Sequence, residues 1–301
     1  MKAFILFSLL FGAGLAATHE RAPQRFARLV LRRLGLLLAI GLLHFVLLST
    51  GDVLTLYALL GLVAAPIVAR ARVRVLVALA LALFVLHVAP LPYPRPFASE
   101  ADLAEHVEAA RHVYPYGSFR QVLAFRLVEL RPTAALLAWT APRTLGLFFL
   151  GAVVWKTRFF RNARMPAVAA VLCALGAVAT WLVHVRGVYA LDGPGSVALS
   201  LGYGAAIASV AARGGLRVFA PIGRMALTSY LTQSIVLGFV FYGYGLGLFG
   251  AIGRLPALGI VVALFGAQMI FARWWLARFR YGPLEWAWRS FTYGAWQPFA
   301  A

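Results

Sequence analysis

Acidic residues are scarce in this chain: 9 Asp or Glu among 301 residues, against 28 Lys or Arg. None falls in the middle of an apolar run. Asp52 and Glu129 lie near the ends of such runs, which argues against the mid-membrane carboxylate relay of a proton-coupled transporter. Cysteine is nearly absent too. Cys173 stands alone inside an apolar stretch, which excludes an intrachain disulfide and a CxxC centre and leaves a small apolar packing residue. Charged residues make up 12% of the chain, where a soluble domain carries about a quarter. Internal repeats and low-complexity tracts are lacking as well.

The abundance lies in apolar residues, 62% of the total. They fall in blocks of roughly 17 to 23, a length that crosses a hydrocarbon core of about 30 Å at 1.5 Å per residue. About nine such spans are expected, near 3–17, 27–49, 53–69, 75–91, 133–155, 165–185, 194–212, 225–247 and 255–277. The fold class is therefore all-α, a polytopic transmembrane helix bundle. A net charge of +19 would point to nucleic acid in a soluble protein. Here the basic residues cluster in alternate loops: Arg21 to Arg33, Arg70 to Arg74, Lys156 to Arg164, Arg213 with Arg217, and Arg273 to Arg289. That alternation is the positive-inside rule, so nucleic acid is not an expected partner and the lipid bilayer is. It places the chain in a bacterial inner membrane with a cytoplasmic C-terminus. Oligomeric state is not readable.

Three regions are expected: N-terminal transmembrane helices over 1–91, a periplasmic or interfacial helical segment over 92–132, and a C-terminal transmembrane domain with an interfacial tail over 133–301. In the middle region Ser99 suits an N-cap before an acidic, alanine-rich helix. The stretch from Gly117 to Arg131 then alternates apolar residues with Arg120, Arg126 and Arg131, the pattern of an amphipathic helix in the outer interface. Pro66, Pro142, Pro221 and Gly223 interrupt apolar spans, which a membrane tolerates only where protein or a wet cavity satisfies the freed backbone.

Four stretches carry a resemblance: "FSLLFGAGLA" at 7–16, "LRRLGLLLAIGLLHFVLLSTGDVLTLYAL" at 31–59, "IGRMALTSYLTQS" at 222–234 and "RYGPLEWAWRSFTYG" at 280–294. Together they resemble the YeiB family of bacterial membrane proteins, whose C-terminal half is a domain of unknown function. That family is similar in turn to transmembrane acyltransferases, which move an acyl group from a cytoplasmic thioester to an acceptor across the membrane. The resemblance implies acyl-CoA as a co-substrate, no permanently bound cofactor, and an envelope glycan or lipid-linked sugar as acceptor. Family members usually begin with a further helix bearing an arginine-glycine motif. The chain as given starts after it, so a misplaced start or a truncated, inactive form is the expectation. A transporter and a scaffold paralogue stay open as alternatives.

Acyl transfer needs a base for the acceptor hydroxyl. His44 and Asp52 flank the bare turn "LSTGD", where a carboxylate can hold the imidazole tautomer; equally, Asp52 or Thr50 can cap the next helix while His44 sits at the interface. His87 and His184 also fall near outer helix ends, on separate helices, so no metal site is expected. Arg143 follows Pro142 near the middle of its span. Either it faces a wet cavity as a catalytic group, or Pro142 starts the helix and the arginine snorkels. Arg224, Thr228 and Thr232 recur every four residues with Ser229 and Gln233 beside them, so one helical face is polar. Pro221 and Gly223 open that helix, where Arg224 suits a coenzyme A phosphate. The alternative for Thr228, Thr232 and Gln233 is interhelical hydrogen bonding. In the tail, Pro283 suits a first turn, Glu285 and Arg289 stand four apart, and Trp286, Trp288, Tyr293 and Trp296 suit headgroup level.

Overall fold

A computed structural model describes residues 2–89, 95–159, 165–188 and 191–300. Among them are thirteen α-helices and no strand: α1 Lys2–Arg21, α2 Phe26–Leu47, α3 Leu54–Arg70, α4 Val73–Val88, α5 Glu100–Tyr116, α6 Phe119–Val128, α7 Leu130–Lys156, α8 Met165–Arg186, α9 Asp192–Ala212, α10 Ala220–Arg224, α11 Ala226–Phe241, α12 Arg254–Leu276 and α13 Pro283–Tyr293. The stretches carrying α2, α7, α8, α9 and α12 are long and apolar enough to cross a membrane, and α3, α4 and α11 are shorter apolar helices. This is the make-up of a helical membrane protein. Its surface agrees: Leu255 and Ile270 on α12 are 81% and 72% exposed, a cost in water that a lipid-facing helix does not bear.

The chain divides into two compact units. One holds Met1–Val30, Leu60–Pro90 and Ala141–Val218. In it α1 and α7 touch backbone to backbone. A methyl group added at Gly12 would lie 1.9 Å from the Phe148 carbonyl oxygen, and one at Gly151 would lie 2.0 Å from that of Leu9. Glycine is thus the side chain that this crossing admits. Ile5, Leu9 and Leu147 are buried there beneath Phe84, Leu150, Val197 and Leu201. Lys156, closing α7, donates to the Val68 and Ala71 carbonyls at 2.7 and 3.0 Å and so caps the C-terminal end of α3. In the same basic region Arg158 pairs with Glu20 at 2.7 Å. Arg161 and Arg164, counted in that cluster, lie outside the described residues. Cys173 is half-buried where α8 meets α9 at Gly202.

The other unit holds Leu31–Leu59, Leu91–Thr140 and Phe219–Ala301. Ser99 opens α5 with a full capping box: its hydroxyl accepts from the Asp102 N–H and the Asp102 carboxylate accepts from the Ser99 N–H. Ser118 and Gln121 repeat the device at α6. The expected span 225–247 is too long at its end. Helix α11 stops at Phe241, and residues 242–253 turn back through Gly243, Gly245 and Gly247. Here again the close approach decides: a methyl at Gly245 would lie 1.8 Å from the Phe239 oxygen. Gly247 sits at φ +64, where other side chains are strained.

Candidate functional site

Helix α2 brings His44 to its last turn, and the turn 48–53 returns Asp52 beside it. Both are 2% exposed, and Nδ1 of His44 lies 3.0 Å from Oδ1 of Asp52, off the line of a well-aligned hydrogen bond. Asp52 faces two ways. Oδ2 accepts from the Thr55 N–H at 2.7 Å and caps α3, while Oδ1 faces the imidazole and takes a long contact of 3.4 Å from the Tyr230 hydroxyl. Such company is what a buried carboxylate requires. The Tyr230 ring lies 4.8 Å from that of His44. Gly41 makes the approach possible, because a methyl there would meet Thr55 N at 2.6 Å and Asp52 Oδ2 at 3.1 Å.

The second imidazole nitrogen carries a partner that sequence reasoning missed. His44 Nε2 lies 2.8 Å from Ser234 Oγ, 190 positions away on α11. In the tautomer with its proton on Nδ1, on the Asp52 side, Nε2 is the acceptor and Ser234 donates. Ser234's alternative bond, to the Tyr230 carbonyl, is longer at 3.3 Å. Ser234 also lines a cavity of about 460 Å³ with Leu48, Ser49, Leu237, Tyr242 and Phe249.

Arg126 was expected on the polar face of an interfacial helix, and there the structure differs. It is 1% exposed, donates through Nη1 to the Leu47 carbonyl at the end of α2, and stacks 5.1 Å over the Tyr242 ring. A cation at a helix C-terminus complements the carbonyl dipoles there, which outweighs the sequence periodicity. Nearby, Glu129 accepts from the Tyr114 hydroxyl at 2.5 Å and lies 3.3 Å from His106. Burial, and after it the hydrogen bond to Glu129, push the Tyr114 phenol well above its usual range.

The remaining predicted residues separate. Arg143 belongs to the first unit. Helix α7 runs unbroken through Pro142, which removes the reading of that proline as a helix start, and the guanidinium lies 5.7 Å from the Phe4 ring centre. Pro221 and Gly223 form the short α10, and the chain breaks at Met225 before α11. Arg224 is exposed and donates to the Arg280 carbonyl at 2.8 Å. It lines a second cavity, about 390 Å³, with Arg33, Arg289, Tyr281, Trp288 and Glu285. Arg33 lies over Trp288 at 4.9 Å and Arg289 over Tyr281 at 4.7 Å. Thr228, Thr232 and Gln233 of the stripe each have a protein partner. Thr228 gives its N–H and hydroxyl to Glu285 at 2.9 and 2.6 Å, so Glu285 caps α11 instead of pairing with Arg289. Gln268 on α12 donates to Thr232 and accepts from Gln233. His184 turns its ring to the Thr180 carbonyl on its own helix.

Comparison with known proteins follows the same helices. The family model described as a protein of unknown function, DUF418, matches residues 149–295, which include Arg224 and Ser234. Over 330 aligned residues the chain is 33% identical to the uncharacterised protein YxaH of Bacillus subtilis, covering 99% of this chain and 81% of that protein. It is 44% identical over 77 residues to the uncharacterised protein YeiB of Escherichia coli, 26% of this chain and 20% of that one. An uncharacterised 39.9 kDa protein of Bacillus acidopullulyticus, from the amylase 3' region, is 39% identical over 80 residues, 26% of this chain and 22% of the other. No solved structure matches the chain. Identity to YxaH over nearly the whole chain, together with the match to the C-terminal family model, makes this chain a member of the YeiB family, the DUF418 proteins.

Proposed function

We propose that the protein transfers an acyl group from acyl-CoA to a hydroxyl of an envelope glycan or lipid-linked sugar, with the His44–Asp52 pair as its base. One observation carries the reading: a buried imidazole has a carboxylate 3.0 Å from one nitrogen and a hydroxyl 2.8 Å from the other, beside a cavity. A base within hydrogen-bond reach of a hydroxyl, with a carboxylate beside its other nitrogen, suits proton abstraction from an alcohol. The arginine-lined cavity supports the donor. Arg33, Arg224 and Arg289 outnumber Glu285, which is taken up by Thr228, and guanidinium groups suit phosphates. Ser234 lies eight positions after Ala226, the first residue of α11, roughly 12 Å along that helix. An extended coenzyme A would thus keep its phosphates at one cavity and its thioester at the other.

In this reading the basic loops face the cytoplasm, so the arginine-lined cavity lies toward that side and the His44 turn toward the other, in a bundle of nine spans with residues 92–132 outside the inner membrane. Arg143, held in mid-helix, takes a supporting polar position in the first unit, and Arg143→Leu should end transfer while the protein still inserts. The test is turnover by purified protein in lipid nanodiscs. Radiolabelled acetyl-CoA is offered with an envelope glycan extract, and label entering the glycan is counted. Wild-type protein should transfer label and His44→Gln should not. Wild-type protein that neither binds nor consumes the thioester would end the acyl-transfer reading.

A further inference from the structure

We infer that Ser234 is the nucleophile of this site and carries the acyl group as a covalent ester between donor and acceptor; this deepens the acyl-transfer reading and rests on it. The argument begins with access. His44 is 2% exposed, and Asp52, Tyr230 and Ser234 surround its ring. An acceptor hydroxyl entering from outside has no open path to Nε2, because Ser234 already occupies its hydrogen-bonding position at 2.8 Å. Ser234, in contrast, is half-buried and lines the 460 Å³ cavity. The oxygen that this base can deprotonate is therefore the one that the cavity presents to substrate. Ser234, His44 and Asp52 stand in the order nucleophile, base and orienting carboxylate, which recurs on unrelated folds and is recognised by geometry.

Two displacements follow. Ser234 Oγ attacks the donor carbonyl carbon as its proton passes to His44 Nε2, and an Oγ–C bond forms. The donor C–S bond breaks, and the departing sulfur leaves with the electron pair and takes the proton from Nε2. An acceptor hydroxyl then enters the vacated space and gives its proton to Nε2, and its oxygen forms the new C–O bond. The Oγ–C bond breaks, and Oγ recovers the proton from Nε2. No oxidant, metal or further reactant is needed.

A short alkyl fluorophosphonate tests the nucleophile without reference to the natural substrate. Full-length protein in detergent is treated with it, and adducts are mapped by peptide mass spectrometry. One phosphonyl group should appear on Ser234. The rate should fall on the order of a hundredfold or more in His44→Gln, the size of a general-base contribution, and about tenfold or more in Asp52→Asn, where asparagine still caps α3. Unchanged elution and melting temperature show that each variant is folded. Folded wild-type protein with no adduct on Ser234, or an equal rate in His44→Gln, overturns the proposal. A second arm separates it from the acyl-transfer reading. An adduct on Ser234 without thioester consumption leaves the nucleophile standing and ends the transfer reading. Thioester turnover kept intact in Ser234→Ala ends the nucleophile and leaves the transfer reading.

Discussion

Gly41→Ala and Gly35→Ala make the same change on the same helix, and their effects should have opposite signs. In a helix interior, glycine to alanine is favourable by about 1 kcal/mol. Nothing lies within 4 Å of a methyl group added at Gly35, so that variant should keep the gain. At Gly41 the methyl group would meet Thr55 N at 2.6 Å, Thr55 Oγ1 at 2.7 Å and Asp52 Oδ2 at 3.1 Å. Two of these atoms form the capping bond of α3. Overpacking costs about 1–3 kcal/mol, and loss of the cap about 1 kcal/mol more. Against the propensity gain, a net loss of about 1–3 kcal/mol remains. Chains of 150–250 residues shift by about 2–4 °C per kcal/mol. The assay is a detergent melting curve read by size exclusion, with fluorophosphonate labelling as the second readout. Gly41→Ala should melt several degrees lower and label slowly, because Asp52 is pushed from the imidazole. Gly35→Ala should melt no lower than wild type and label normally. Equal shifts in the two variants would refute the claim that this glycine sets the distance between α2 and the Asp52 cap.

Arg224→Ala should weaken coenzyme A binding about thirtyfold, the equivalent of about 2 kcal/mol for a charge-assisted contact. Arg217→Ala in the adjoining loop should do much less, and equilibrium dialysis measures both. Tyr114 gives a pH prediction. Its folded-state phenol titrates above the ordinary value of about 10, so the unfolded chain loses that proton first. The stabilisation is complete below about pH 10 and declines as pH rises beyond it. Tyr114→Phe should cost about 1 kcal/mol at pH 8 and flatten the alkaline decline in melting temperature. A periplasm-dependent reporter should be active when fused near residue 110 and silent near residues 72, 160 or 301; activity near 160 would overturn the loop assignment.

The proximity of His44 and Asp52 was legible because it is local. His44 and Asp52 are eight positions apart across one turn, and turn chemistry alone brings a helix end and a cap together. Ser234 was out of reach for the converse reason. Its partner is 190 positions away, and periodicity fixes which residues share a helical face but not what that face meets. The polar stripe of α11 was found, yet the choice between ligand and neighbour turned on Glu285 and Gln268, both remote in sequence. Arg126 misled for a related reason, since an arginine in an amphipathic pattern reads as a surface charge until a helix end needs it. The length of α11 failed on the glycine-rich turn after Phe241, whose residues are apolar enough to pass for membrane.

Helix α13 was expected to be an anchor, but it also works as a latch. Glu285 fastens the start of α11, the helix of Ser234, and Trp288 donates to the Arg33 carbonyl at 3.1 Å on α2, the helix of His44. Residues 283–293 are synthesised after everything they hold. On the ribosome, His44 and Ser234 would both be in the membrane before their helices are fixed at the far end, so a half-made chain carries both side chains without the frame that aligns them. A protease cut or a bulky fusion just before Pro283 should reproduce that unfinished state in the mature protein, silencing a site that it does not touch.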